Sequence, residues 1–267
     1  MPFLESDGIR FHYVINGSRG PWVVFQHGLG GDVSQPQGIL AGSAWLRTAS
    51  FDCRGHGLTR PLGPLHRLTF SAFADDLRNL LDALGLDRVT VGGISMGAGV
   101  ALNFALRHPE RTRSLILSRP AWLDAGHPPN LDIFDTIARA LPENGVEGTR
   151  QLLLKDPVFR RIEAVSREHA ASILRQLERP DLAAVVATLT LLPADTPCPV
   201  PQGWRGVRVP TLVLVNAMDP LHPADYGRRL AAEIPGAQLV ELTPKEKEPV
   251  RHALEMRDAI ERFVGAP

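Results

Sequence analysis

Gly93-Ile94-Ser95-Met96-Gly97 joins an apolar, β-rich run, Arg88–Gly92, to a stretch of small residues, Met96–Arg107, with helical character that ends before Pro109. A serine at a sharp strand-to-helix turn takes a strained backbone conformation, and glycine two places to either side removes the side chains that would collide there. The hydroxyl is then left exposed, as a nucleophile requires. The Met96 amide opens the helix, where unpaired N–H groups and the helix dipole favour negative charge, so it is expected to form half of an oxyanion hole. In a chain with 24 glycines the five letters alone can arise by accident; the strand before and the helix after carry the reading.

Outward from this turn, short β-rich runs alternate with longer helical ones. Strands are expected at Ile9–Ile15, Trp22–Gln26, Arg47–Asp52, Val89–Gly92, Ser114–Leu117, Thr211–Val215 and Leu239–Leu242. Helices are expected at Phe70–Leu84, Met96–Arg107, Pro223–Ile234 and Ala253–Val264. Runs such as Trp22-Val23-Val24-Phe25 and Leu212-Val213-Leu214-Val215 are apolar without alternation, which suits strands buried on both faces. The expected fold class is therefore α/β, with a mostly parallel central sheet covered by helices on both faces. Between Arg119 and Gly206 the strand pattern gives way to apolar residues at helical spacing, such as Leu131, Phe134, Ile137 and Leu141. This segment, 119–206, is expected to be an inserted helical cap, with 1–118 and 207–267 forming the core.

Composition narrows the classes of function. Apolar residues at 44% and charged residues at 22% describe a folding globular chain. Lys plus Arg and Asp plus Glu balance at 29 each, so no overall field favours nucleic acid or an anionic membrane, and a small, neutral or apolar partner is expected. The first residues lack the basic flank and apolar stretch of a signal peptide, and no apolar run is long enough to span a bilayer. Two distant cysteines, Cys53 and Cys198, form neither a metal-binding spacing nor a disulfide framework, so a cytoplasmic setting is the expectation.

A second motif, Gln26-His27-Gly28-Leu29-Gly30-Gly31-Asp32, follows directly on an apolar strand. Parallel sheets bind ligands at the carboxyl ends of their strands, so an amide in this loop, Leu29 by position, is placed to face the same oxygen as Met96. Read alone, the loop is an ordinary glycine turn.

With Asp52-Cys53-Arg54-Gly55-His56-Gly57, whose pattern is Asp-x-Arg-Gly-x-Gly, these motifs resemble those of the α/β-hydrolase superfamily, in that family's order and over nearly the whole chain. The Asp52–Gly57 turn is read as structural. The resemblance implies a triad in the order nucleophile, acid, histidine. A serine hydroxyl needs a base, and this order selects His252, ahead of the C-terminal helix, with His222 as the rival; His27 and His56 lie inside loop motifs. The same order selects Asp219, after Thr211–Val215, as the acid, with Asp124 as the fallback and a turn before Pro220 as its structural alternative. Two departures stand out. Pro249-Val250-Arg251 precedes His252 where the family often has glycine, and the elbow carries serine where dehalogenases and epoxide hydrolases carry aspartate.

The implied activity is cleavage of a small carboxylic ester, lactone or thioester through an acyl-enzyme, without metal or organic cofactor. The alternatives are a C–C bond hydrolase acting on diketones and a slow-turnover ligand receptor on the same fold. Arg119, Trp122 and Trp204, near the cap boundaries, are either entrance residues or packing residues.

Overall fold

The computed structural model describes residues 2–198 and 200–265. In chain order its strands are β1 (Phe3–Ser6), β2 (Ile9–Asn16), β3 (Trp22–Gln26), β4 (Arg47–Phe51), β5 (Val89–Ile94), β6 (Thr112–Ser118), β7 (Thr211–Asn216) and β8 (Gln238–Leu242). They form one sheet in the order β1-β2-β4-β3-β5-β6-β7-β8, antiparallel at the β1-β2 and β2-β4 pairs and parallel from β4 to β8. The α-helices are α1 (Ser34–Leu40), α2 (Phe70–Ala83), α3 (Met96–Arg107), α4 (Asp132–Lys155), α5 (Pro157–Val165), α6 (Arg167–Leu174), α7 (Leu182–Ala194), α8 (Ala224–Glu233) and α9 (Pro249–Phe263).

The non-alternating apolar strands are explained by two cores. Val23 and Phe25 of β3, with Ile116, Leu212 and Leu214, pack against Leu40 of α1 and Met256 and Ile260 of α9 on one face. Val24, Val91, Leu115 and Val213 meet Phe73, Leu77 and Leu80 of α2 and the small-residue helix α3 on the other. Both faces of the sheet are thus removed from water, as a parallel sheet requires. Thr69 caps α2 by accepting from the Ala72 amide, which sets the start of that helix.

Helices α4 to α7 lie between β6 and β7, and their buried residues Phe134, Ile137, Ile162 and Leu189 join the larger core. α4 is interrupted at Gly145, whose φ of 64° and ψ of −175° leave helical geometry. Two differences from the sequence reading matter. β1 lies outside the strands the sequence predicts; it pairs with β2 through Asp7 and Gly8, both at positive φ (55° and 69°), the backbone of a tight hairpin turn. α9 begins at Pro249 rather than Ala253, because proline suits the first helical position, where no N–H partner is needed. Among the described residues no helix is long and apolar enough to cross a membrane.

Candidate active site

Ser95 stands between β5 and α3 with φ 55° and ψ −114°, a conformation L-residues avoid unless the surroundings impose it. The surroundings do. Its amide donates to Ser118 O at 3.0 Å on the neighbouring strand, and its carbonyl accepts from Gly99 N at 3.1 Å. The flanking glycines are required by contact: a Cβ on Gly93 would lie 2.4 Å from the Gly97 carbonyl carbon, and one on Gly97 would lie 2.3 Å from Gln26 O. A Cβ on Gly28 would meet the Ser95 Cβ at 3.4 Å, so the loop after β3 passes directly beside the serine.

That loop is braced from behind. His27 Nδ1 donates to Gly28 O at 2.8 Å, and its Nε2 accepts from Cys53 N at 3.0 Å, so both ring nitrogens are committed. Burial holds its pKa below the ordinary histidine value. Asp52 accepts from Val33 N and Leu58 N, each at 2.8 Å, and meets His12 Nδ1 at 2.8 Å, tying three segments together. Arg54, fully buried, forms a two-pronged pair with Asp76 at 2.7 Å and reaches Asp7 at 2.9 Å. Gly28 N is taken by Gln35 Oε1 at 2.7 Å, and Leu29 lines the cavity in front of Ser95. The Met96 amide, at the first position of α3, lies in the turn whose N–H groups have no partner within the helix.

The cavity encloses about 580 Å³, and Ser95, Leu29, Trp122, His169 and His222 contribute to its wall. Trp204 does not: it is fully buried and its indole donates to Glu233 at 2.8 Å. Asp219 follows β7 and is the centre of a compact polar network. Its Oδ1 meets His222 Nδ1 at 2.8 Å and His169 Nε2 at 2.9 Å, and its Oδ2 accepts from Arg119 Nη1 at 3.2 Å. Burial acts to raise the Asp219 pKa, but His222, His169 and Arg119 together outweigh it and hold the carboxyl well below the usual range. Burial lowers the pKa of His222 below the ordinary histidine value and outweighs Asp219, whose charge and hydrogen bond raise it; Arg119 and His169 add to the lowering.

The structure brings Ser95, Leu29 and Asp219 around one site, but it does not bring His252 to Asp219. His252 lies in the first turn of α9, where its amide donates to Glu248 O, and its Nδ1 meets Thr243 O at 2.8 Å. The early start at Pro249 is the reason: it draws His252 into the helix and away from the loop expected to deliver it. Asp219 is partnered instead by His222, the rival, whose Nε2 has no hydrogen-bond partner among the described residues and whose ring lines the cavity.

Two residues of the network had no sequence signal. His169, on α6, meets Asp219 through Nε2 and Glu246 Oε1 through Nδ1 at 2.9 Å, while Ser166 Oγ donates to the same Glu246 oxygen at 2.9 Å. The loop after β8, from which family order would bring the base, brings the nearly buried Glu246. Asp124, the fallback acid, accepts from Gln202 N at 2.9 Å, outside the network. Among the described residues, His169, Asp219 and His222 are the group whose donor atoms could converge on a metal ion, lying within 4.8 Å of one another. An ion there would have to break both His–Asp hydrogen bonds beside a guanidinium already 3.2 Å from the same carboxylate, so the cluster suits proton handling better.

Comparison with known proteins agrees with this arrangement at the level of fold and class. Residues 21–246 match the model of the alpha/beta hydrolase fold family. The chain is 30% identical over 255 residues to a putative carbamate hydrolase from a Caulobacter species, covering 87% of this chain and 86% of that protein. It is also 30% identical over 170 residues to the 2-hydroxy-6-oxo-6-phenylhexa-2,4-dienoate hydrolase of Burkholderia cepacia, covering 61% of this chain and 57% of that one. Among solved structures, the enol-lactonase from Burkholderia xenovorans superposes with a TM-score of 0.77 at 24% identity, over 98% of this chain and 99% of that chain.

Proposed function

Because the chain belongs to the alpha/beta hydrolase fold family and is similar over most of its length to a putative carbamate hydrolase, we propose that it is a serine hydrolase that cleaves a small ester, lactone or thioester through an acyl-enzyme on Ser95. One observation carries the reading: the strained serine opens into the same cavity as His222, an imidazole whose Nδ1 is held by a buried carboxylate.

In this mechanism Ser95 Oγ attacks the carbonyl carbon as His222 Nε2 accepts its proton, and Asp219 holds the tautomer and stabilises the imidazolium. The oxyanion sits between the Leu29 and Met96 amides. Collapse breaks the acyl–oxygen or acyl–sulfur bond, and the proton passes from His222 to the leaving group. A water, deprotonated by the same nitrogen, then releases the acid and restores the serine. The helices from 119 to 206 act as a cap that excludes bulk water, a role consistent with Trp122, Leu131 and Phe134 on the cavity wall. His252 has a packing role at the start of α9. The Burkholderia cepacia relative favours a second reading, cleavage of a C–C bond beside a ketone by the same residues.

Labelling with a fluorophosphonate, followed by peptide mapping, is the test: Ser95 is modified in the wild type, and Ser95→Ala abolishes both labelling and ester turnover. Turnover persisting in Ser95→Ala refutes the assignment. A diketone turned over faster than any ester would favour the second reading.

A further inference from the structure

The cavity wall in front of Ser95 carries more positive charge than the catalytic chemistry uses. Arg119 is neutralised by Asp219, and Lys245 is paired with Glu168. Glu178, on the rim, faces Arg150 at 3.8 Å. Two guanidinium groups of the same wall, Arg175 and Arg179, have no carboxylate in ion-pair contact among the described residues, against one such carboxylate, Asp32. Arg179 is the more telling. It is mostly buried and is held by neutral oxygens only: Nη2 donates to Gly55 O, and Nη1 donates to Gln176 Oε1 at 3.1 Å and Thr188 Oγ1 at 3.4 Å. A buried cation without a carboxylate in contact is costly, and burial, followed by repulsion from Arg60 and only partly offset by Asp181, lowers its pKa to about 10, which leaves it charged at neutral pH.

Its position is fixed relative to the nucleophile. Gln176, which orients Arg179, presses on Gly30 so closely that a Cβ there would overlap its amide, and Gly28 of the same short loop touches Ser95. Arg179 therefore stands across the width of the Gly28–Gly30 loop from the serine, on the same cavity.

Resting on the serine-hydrolase reading, we propose that Arg179, assisted by Arg175, binds a carboxylate on the substrate, so that the preferred substrates are anionic esters or lactones bearing a free carboxylate away from the scissile bond. This departs from the neutral or apolar partner that overall charge balance suggests: the net charge of zero averages over the surface, whereas the local field in the cavity is set by a few unpaired groups. A guanidinium matches a carboxylate in two parallel hydrogen bonds, and its anchoring by Gly55, Gln176 and Thr188 means little ordering is required when the ligand arrives.

The test compares p-nitrophenyl monoesters of succinate, glutarate and adipate with neutral acyl esters of matched length on the wild-type protein. The best dicarboxylate monoester is expected to exceed its neutral counterpart in kcat/KM by about tenfold to a hundredfold, the range of one charged hydrogen-bonded contact. In Arg179→Met that ratio falls towards one. Arg175→Met lowers it less and serves as the second variant, should loss of the Arg179 tethers impair folding. Equal kcat/KM for the two series in the wild type overturns the proposal. Binding is read separately by the thermal transition: glutarate, but not the neutral diamide glutaramide, raises the wild-type Tm and not that of Arg179→Met. That shift stands even if Ser95 proves unreactive to fluorophosphonate, which would sink the hydrolase reading alone; its absence from a wild type that does label at Ser95 counts against the carboxylate site alone.

Discussion

Replacing His222 with alanine should separate the two histidines that compete for the role of base. The perturbation is clean because Asp219 is not orphaned: Oδ1 keeps His169 and Oδ2 keeps Arg119, so no buried carboxylate is left unpaired. The ring borders the cavity, so its loss enlarges that cavity and leaves the apolar core intact, and stability falls by about 1.5–3 kcal/mol, the loss of one hydrogen bond to a charged group. Catalysis loses its proton acceptor, worth on the order of 10²- to 10⁴-fold, or about 3–5.5 kcal/mol in the barrier. His252→Ala differs in the catalytic readout. It removes the side chain of a residue that is 4% exposed and the contact to Thr243 O, which should lower stability by about 1–3 kcal/mol and Tm by several degrees, while kcat/KM on a p-nitrophenyl ester stays within about tenfold of wild type. Paired thermal melts and steady-state kinetics on the two variants decide the matter. A His252→Ala protein with unchanged Tm and the larger loss in kcat would return the base role to His252 and refute the argument from the Asp219 contacts.

The acid limb of the kcat/KM profile should fall below the ordinary histidine value of 6.5, since a base whose pKa is lowered by burial stays deprotonated to lower pH; a midpoint above 7 would contradict it. Gly97→Ala places a methyl 2.3 Å from Gln26 O, a clash with backbone that costs about 1–3 kcal/mol in urea denaturation and pushes the Leu29 loop away, with kcat falling more than KM rises. Asp76→Ala strips the fully buried Arg54 of its two-pronged partner and should destabilise by about 3–5 kcal/mol, measurable as a shift of the denaturation midpoint. His27 and His56 have folded-state pKa values below 6.5, so the unfolded chain takes up protons that the native one refuses; stability is full above the unfolded value and falls as pH drops below about 6.5. His56→Gln should flatten that dependence, and a wild-type Tm that does not change between pH 7.5 and 5.5 would count against it.

What the sequence discloses follows the range over which each feature is determined. The strand–turn–helix at Ser95 is local: two glycines, an apolar run before and small residues after specify it, and the contacts of Gly93 and Gly97 show why no other residue fits. The parallel strands are legible because burial on both faces removes alternation, as in Val23, Val24 and Phe25. β1 is harder to see because its partly exposed residues give a weak apolar signal, although Asp7-Gly8 is a hairpin signature. Pro249 is likewise a local start signal, and it outweighs the apolar spacing that suggests a start at Ala253; the position of His252 follows from it. His169 and Glu246 are of another kind. Nothing in Arg167–Leu174 or in the charged loop after β8 distinguishes them from solvated polar residues, because their partners are chosen by how α6 and that loop dock on the sheet.

The bond from His169 to Asp219 also bears on how interchangeable the parts of this molecule are. The insertion between β6 and β7 is attached by its ends, so it looks like a cassette that could be traded for that of a relative to change the clientele. Here the cassette carries one of the acid's two imidazole partners and the group that keeps Glu246 company, so a transplant would alter the proton network together with the pocket. A graft that retained Ser166 and His169 would keep Asp219 and Glu246 partnered, whereas one chosen for pocket shape alone would place two carboxylates near each other with their intermediary gone.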